Sequence, residues 1–432
     1  MWRGPHQRGS VRGPGACAGV RPLLTCARVA RTDRPLDPPV HIETEDALRK
    51  VAARLSQESV VAVDTESNSL FAHRERVCLV QISTSKRDFL IDPLVPLDLA
   101  PLAPVFADAA IVKVFHDAEN DVQALKRVYP FEFAGLFDTK VAAMSLGKTA
   151  VGLAAVLEAY FSVRLDKRYQ RSDWGQRPLS QAQLEYARLD THYLPELTKI
   201  LRAELLAAGE PHLQEVASEC LRLAALVPPT RRFDPEEFAR LRGADRLDPD
   251  ARRRLRELFI ARERLAQARD LPPFKVIGPD TLVTIARSMP ADEAALAAIP
   301  GLTPRVVDRC GAEILNALRR AARLRPLPPR PARDADSPGL TVAQRGAYDR
   351  LRAWRKQTAA ARGVDASLIL PRPVMQQLAE LRSPPRDLDA LTTTGLIETW
   401  RGARYGVGIL AALRGGSAEP REREARPSPP NS

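Results

Sequence analysis

The stretch "VVAVDTESNSL", Val60 to Leu70, runs through small and β-branched apolar residues into two carboxylates, Asp64 and Glu66. That composition predicts a buried strand over Val60–Asp64. Residues i and i+2 of a strand point to the same side, so Asp64 and Glu66 aim together from the strand's exposed end. Two carboxylates held that close raise each other's pKa unless a cation or a shared proton compensates. Alone, D-x-E reads either as a solvated strand-to-loop junction or as half of a divalent metal site. The rest of the chain must decide.

Around this strand the pattern is regular. A helix is predicted over Glu45–Leu55, and two strand-like runs follow, "RVCLVQIS" (76–83) and "DFLIDP" (88–93). Their short polar connections suit an antiparallel meander. "AIVKVFHD" (110–117) is a fourth apolar run, and "NDVQALKRVY" (120–129) has helical spacing through Val122, Leu125 and Val128. Sheet first with helices interleaved later implies a mixed α/β domain. In "RPLSQAQLEYARLD" (177–190), Ser180 is a natural N-cap with Gln183 three residues on, a capping box, and Leu179 and Leu184 flank it as a staple.

Beyond about residue 211 no run reads as a strand. The helical pattern is interrupted by "VPPT" (227–230), "DLPPF" (270–274) and the Pro-rich "RPLPPRPARDADSPG" (325–339). Within it lies a weak repeat. Leu258, Arg262 and Ala266 match Leu351, Arg355 and Ala359 at one offset, and after a one-residue slip Ile277 and Pro279 match Ile369 and Pro371. Two small helical modules of similar design are expected.

Composition sets the bounds. A chain of 432 residues exceeds one ordinary core, and 44% hydrophobic with 27% charged residues is a globular balance. No run approaches the ~18 to 20 apolar residues that a membrane helix needs. Cys17, Cys26, Cys78, Cys220 and Cys310 are odd in number and scattered, which argues for a reducing, cytoplasmic setting and against a zinc site. The net charge of +12 divides as +5 over residues 1–39, −4 over 40–210 and +11 over 211–432. An acidic head followed by a basic tail suggests a metal-dependent unit and a polyanion-holding one, although the Arg-, Ala- and Pro-rich usage of a GC-rich genome is the alternative source of this charge. Residues 1–39 read by composition as a disordered basic tail, with organelle targeting as the lesser alternative.

Two more acids complete the pattern. Asp121 begins the helix after the fourth apolar run, where an acid alone is an ordinary partner of the helix dipole. Tyr186 and Asp190, at i and i+4, emerge from one helical face. Together, D-x-E on a first strand, Asp at a helix start and Y-x-x-x-D on a capped helix resemble the DEDD superfamily of 3′-to-5′ exonucleases, in its Tyr branch. Within that branch the chain is similar to the ribonuclease D family over roughly residues 41–415. The motifs stand as "VDTESNSLFAHRERVCLVQIS", "VFHDAENDVQALKR" with "LFDTKVAAMSLG", and "LDKRYQRSDWGQRPLSQAQLEYARLD".

The resemblance implies an α/β ribonuclease H-like exonuclease domain followed by two all-α HRDC-like helical modules. The expected divisions are 1–39 tail, 40–211 exonuclease, 212–325 first module, 326–339 linker, 340–415 second module and 416–432 tail. It implies that Asp64, Glu66, Asp121 and Asp190 hold two Mg²⁺ or Mn²⁺ ions ~4 Å apart that clamp the scissile phosphate. Tyr186 would orient the attacking water, since a phenol with pKa near 10 is a poor base at neutral pH. His116 is read as a structural or supporting residue, and Trp174 as a packing anchor for the loop entering the Tyr186 helix. Phe71 and His73 are candidates to stack on the terminal base, although Ser67 stands where some relatives carry an aromatic. The modules would hold RNA by phosphate contacts; the first has Ala261 where the second has Trp354.

The expected activity is removal of 5′-nucleotides from RNA 3′ ends, with tRNA precursors and other structured RNAs as substrates. A DNA 3′-to-5′ exonuclease and a nucleic-acid-binding adaptor with a dead nuclease domain are the other readings. The catalytic motif cannot read the sugar, and the presence of all four acids and Tyr186 argues against the adaptor.

Overall fold

The computed structural model describes residues 36–229, 232–328 and 340–415. The expectations for Cys17, Cys26, most of the two terminal tails and most of the Pro-rich linker lie outside the described residues.

A six-stranded sheet forms the first unit: β1 (Val40–Ile42), β2 (Val60–Ser67), β3 (Val77–Ser83), β4 (Asp88–Ile91), β5 (Val112–Phe115) and β6 (Leu136–Asp138), in the order β1-β4-β3-β2-β5-β6. The β2–β3–β4 meander is antiparallel as predicted, while β1 runs parallel to β4 and β5 parallel to both β2 and β6. β2 continues past Asp64 because β3 pairs with it, Asp64 opposite Gln81 and Glu66 opposite Leu79, up to an irregularity at Glu66/Ser67. Both acids therefore lie on a paired strand rather than at a free end. The edge strands β1 and β6 went unpredicted. Three residues each are too few for alternation to show, and they exist because a neighbour supplies the ladder.

Eight helices belong with this sheet: α1 (Glu45–Leu55), α2 (Ala103–Ala107), α3 (Glu119–Val128), α4 (Thr139–Ser145), α5 (Leu153–Phe161), α6 (Gln181–His192), α7 (Leu194–Ala208) and α8 (Glu210–Ala224). α1 has the predicted bounds and is capped by Thr44. α6 starts at Ser180 with both bonds of the capping box formed. The sheet is covered on two faces. α3 sends Val122 and Leu125 into the large core with Val61, Val63, Val80 and Ile82. α6 lies on the opposite face, Ala187 packing with Leu79, Leu90 and Trp174, and Leu179, Leu184 and Tyr186 resting against them.

α8 differs from the sequence expectation of a break at 211/212. Its Val216, Cys220, Leu223 and Ala224 are buried in the large core, so this core closes only after α8, and the next begins at Phe238. The amphipathic spacing of α8 is the same on either side of a domain boundary, which is why sequence could not assign it.

The repeat appears as two five-helix modules. The first comprises α9 (Pro249–Arg269), α10 (Pro273–Val276), α11 (Pro279–Ser288), α12 (Glu293–Ala297) and α13 (Pro304–Ala322). The second comprises α14 (Val342–Arg362), α15 (Ala366–Ile369), α16 (Arg372–Glu380), α17 (Leu388–Thr393) and α18 (Thr399–Arg414). The matched residues do the same jobs: Leu258 and Leu351, Ala266 and Ala359, and Ile277 and Ile369 are buried in their own cores. Each long first helix ends left-handed, at Asp270 and Gly363. Trp354 is accommodated by Gly408, where a Cβ would come within 2.4 Å of the indole nitrogen; Ala261, its counterpart, is simply buried.

Both modules touch the first unit. Glu215 of α8, fully buried, bonds Arg362 at 2.8 Å and Ser145 at 2.5 Å, and Leu368 joins the large core. Among the described residues no helix is long and apolar enough to cross a membrane. Cys78, Cys220 and Cys310 are buried and form no disulfide.

Candidate active site

The acids come from three elements: Asp64 and Glu66 from the paired strand β2, Asp190 from the last turn of α6 and Asp121 from the first turn of α3. β2 places Asp64 and Glu66 on the face that α6 covers, and α6 brings Asp190 down onto it. Asp64, Glu66 and Asp190 can each present one carboxylate oxygen, all within 4.8 Å of one another. Asp121 arrives from the other face, in the first turn of α3, and is outside that trio. Its Oδ1 instead accepts from the Thr65 backbone N–H at 3.0 Å and from the Thr65 hydroxyl at 2.5 Å. The alternation of β2 explains this, since Thr65 points away from its two acidic neighbours.

The electrostatics of the group are those of an uncompensated anion cluster. Burial, then repulsion from Asp121, Asp190 and Glu66, pushes Asp64 well above the carboxylate range. Glu66 rises to about 9 through burial and the charges of Asp190 and Asp121. Asp190 rises to about 8, chiefly through burial, against a hydrogen bond from Tyr186. Asp121 rises to about 7, burial outweighing the two Thr65 bonds. Tyr186, one turn before Asp190, has its phenol pushed above the ordinary value of 10 by burial and then by Asp190, Glu66 and Asp64. Such a cluster is stable as anions only around cations, and its donor set, all carboxylate oxygen, suits hard divalent ions. The residues fit a divalent metal.

Further side chains hold the acids in place, and sequence reasoning had not singled them out. Asp138, at the end of β6, accepts from the backbone N–H groups of Asp117 (3.1 Å) and Ala118 (2.8 Å), and of Lys140 (2.8 Å) and Val141 (3.2 Å). One carboxylate thus caps α4 and pins the turn, with Asp117 at φ +73, from which α3 and Asp121 start. Its position before the helix-forming "TKVAAM" was a legible N-cap signal. On α6, the buried Arg188 pairs with Asp88 at 2.9 Å, and His192 Nδ1 meets the same carboxylate at 2.9 Å, tying the helix to β4. Only the fold reveals this pair.

The other candidates are placed as follows. His116 Nδ1 lies 2.9 Å from the Thr139 hydroxyl, and burial lowers its pKa to about 4, so it is a neutral supporting group. Trp174 is buried, its ring centroid 6.1 Å from that of Tyr186, as a packing anchor would be. Phe71 and His73 are engaged by the first module. Lys275 Nζ stands 3.8 Å from the Phe71 ring centroid, His73 Nε2 meets Glu263 at 2.7 Å, and the Arg74 N–H donates to Asp270 at 3.0 Å. The loop after D-x-E is therefore a docking surface for the helical half, and His73 is not free to stack on a base.

Comparison with known proteins agrees with this architecture. A family profile described as 3′-5′ exonuclease matches residues 39–206, and the HRDC domain profile matches residues 251–318 and 344–413. A ribonuclease D of Gluconacetobacter diazotrophicus is 35% identical over 305 residues, 68% of this chain and 75% of that protein. One of Acidiphilium cryptum is 31% identical over 388 residues, 88% of this chain and 93% of that one. Among solved structures, Escherichia coli RNase D, described as an exoribonuclease involved in structured RNA processing, is 26% identical, with a TM-score of 0.61 over 88% of this chain and 99% of that one. The catalytic core of RRP6 from Trypanosoma brucei is 29% identical, with a TM-score of 0.61 over 66% of this chain and 81% of that one. A sheet carrying clustered acids, a capped helix with Tyr186 and Asp190, and two HRDC modules in the same order place this chain in the ribonuclease D family of 3′-5′ exoribonucleases.

Proposed function

We propose that Asp64, Glu66, Asp121 and Asp190 hold two divalent ions, Mg²⁺ or Mn²⁺, and that Tyr186 orients the water that cuts the terminal phosphodiester of an RNA 3′ end. The observation that carries this is the approach of Asp64, Glu66 and Asp190 within 4.8 Å on a face that α6 closes. When bound, such ions stabilise phosphate charge and lower the pKa of a bound water. Asp121, fixed by Thr65, joins the trio from the opposite face of the sheet. The raised phenol pKa keeps the Tyr186 hydroxyl protonated, so it positions the water and does not abstract its proton. The Asp88–Arg188–His192 group holds α6, and with it Tyr186 and Asp190, at a set distance from the strand.

The substrates we propose are tRNA precursors and other structured RNAs with short 3′ tails. Residues 211–432 carry +11, which supports a role for the helical half in holding the RNA body by phosphate contacts. For domain organisation we propose the expected units with α8 moved into the nuclease, because it is buried in that core. Cys78, Cys220 and Cys310, buried as free thiols, support a reducing, cytoplasmic location.

The test is digestion of matched 3′-tailed RNA and DNA with Mg²⁺, Mn²⁺ or EDTA, using the wild type, Asp64→Asn and Asp190→Asn. Release of 5′-mononucleotides from RNA by the wild type, only with metal, is expected, with turnover abolished and RNA binding retained in both variants. Endonucleolytic fragments, full activity in EDTA, or near-normal variant rates would overturn the reading.

A further inference from the structure

Gln81 is an anomaly beside the acids. It is 0% exposed, and neither its Oε1 nor its Nε2 has a hydrogen-bond partner. Among the described residues no other buried side chain leaves two polar atoms unpaired. Buried carboxamides are ordinarily satisfied, and one left unpaired is destabilising, so the position calls for a partner that joins later.

The register identifies it. Gln81 lies on β3 directly opposite Asp64 of β2 and, on its other side, opposite Leu90 of β4. Opposed residues of an antiparallel pair share a face, with Cβ atoms ~4.5–5.5 Å apart. Leu79 and Ser83, at i±2, share that face too. Leu79, Leu90 and Ala187 of α6 are apolar and packed together. The Ser83 and Thr191 hydroxyls are paired with each other at 2.7 Å, and Thr191 also donates to the Arg188 carbonyl. Two carboxylates of β2 share this face, Asp64 directly opposite Gln81 and Glu66 one pair along opposite Leu79, and the direct pair is the closer, so Asp64 is the group placed to meet the amide.

We infer that Gln81 is a positioning residue for the metal centre, its amide donating to the Asp64 carboxylate when that carboxylate ligates the metal. The bond uses one Asp64 oxygen, turns the other toward the cation and fixes the carboxylate rotamer. Partners of this kind behind a metal ligand change affinity ~10–100-fold when removed. The inference rests on the metal-site reading above and names the side chain that acts behind one of its ligands.

A merely structural glutamine and a metal-positioning one predict opposite things for Gln81→Met, which keeps the length and packing but removes both polar atoms. The experiment is thermal unfolding of the full chain in EDTA and across a Mn²⁺ series, with calorimetric Mn²⁺ titration. Gln81→Leu is run in parallel against any packing effect peculiar to Met. In EDTA the variants should be as stable as the wild type or more so, because an unpaired buried amide has been removed. The Mn²⁺ midpoint should rise ~10–100-fold. Midpoints within about twofold of wild type, or variants that melt several degrees lower in EDTA, would overturn the inference; the second result would mean that the amide was already paired without metal. If wild type itself shows no Mn²⁺ binding, the metal-site reading fails, and this inference with it.

Discussion

Replacing Thr65 by Val tests how Asp121 joins the centre. The hydroxyl of Thr65 donates to Asp121 Oδ1 at 2.5 Å, while its backbone N–H donates to the same oxygen at 3.0 Å. Val keeps the β-branched shape and suits a strand opposite Val80, so pairing of β2 with β3 should persist. Only the hydroxyl bond is lost. A hydrogen bond to a charged group contributes ~1.5–3 kcal/mol. At about 1.4 kcal/mol per decade that is ~10- to 100-fold, and the surviving N–H bond argues for the lower half. We expect kcat/KM at limiting Mn²⁺ to fall ~10- to 30-fold, partly recovered at saturating metal. Release of the first nucleotide from a 3′-tailed RNA, measured over a Mn²⁺ series for wild type, Thr65→Val and Thr65→Ser, decides it. Thr65→Ser retains the hydroxyl and should stay within about threefold of wild type. If Thr65→Val matched wild type at both metal levels, or Thr65→Ser failed as badly, the hydroxyl would not be what holds Asp121.

Tyr186→Phe keeps the ring packing and should lower kcat ~10²-fold with a much smaller change in KM; an unchanged kcat in steady-state assays would make Tyr186 a packing residue only. In EDTA, stability should fall as pH rises: Asp121, Asp190 and Glu66 have folded values of about 7, 8 and 9, above their unfolded ones, so the stability carried by their protonated forms is full below about pH 4 and lost through that range. Melting between pH 6 and 9 should show the decline and its removal by Mn²⁺, and a flat profile in EDTA would contradict it. Arg188→Met leaves the buried Asp88 carboxylate without its guanidinium partner, held by His192 and Ser83, and should cost about 3 kcal/mol together with activity; a melting temperature within a degree of wild type would show that the pair does not hold α6. A chain cut after residue 211 loses α8 and bares the large core, whereas one cut after residue 227 keeps it; solubility and cooperative melting should separate the two, and equal behaviour would return α8 to the helical half.

Much of the candidate site's layout was legible because it is written in short-range signals. Alternation in β2 put Asp64 and Glu66 on one face, the capping box started α6 at Ser180, and i, i+4 spacing aligned Tyr186 with Asp190. The paired modules showed through the repeat, because equivalent core positions need equivalent residues. These features depend on backbone period and on neighbours within a turn or two, so the linear order of residues suffices to specify them.

What the sequence could not specify depends on partners far along the chain. Asp121 is held by a residue 56 positions away, and the His73 contact with Glu263 spans 190. Neither type nor spacing announces such pairs. β1 and β6 exist through their neighbours' ladders, and α8 joins the nuclease because the surface offered to its apolar stripe belongs to β6, α4 and α7. Gln81 is a polar residue in an apolar strand until the register sets it opposite Asp64. By itself, the sequence determined which elements form and which acids share a face, since backbone geometry acts locally. The tertiary structure alone decided what holds those acids and which unit each helix serves, since burial and hydrogen bonding are settled only when distant segments meet.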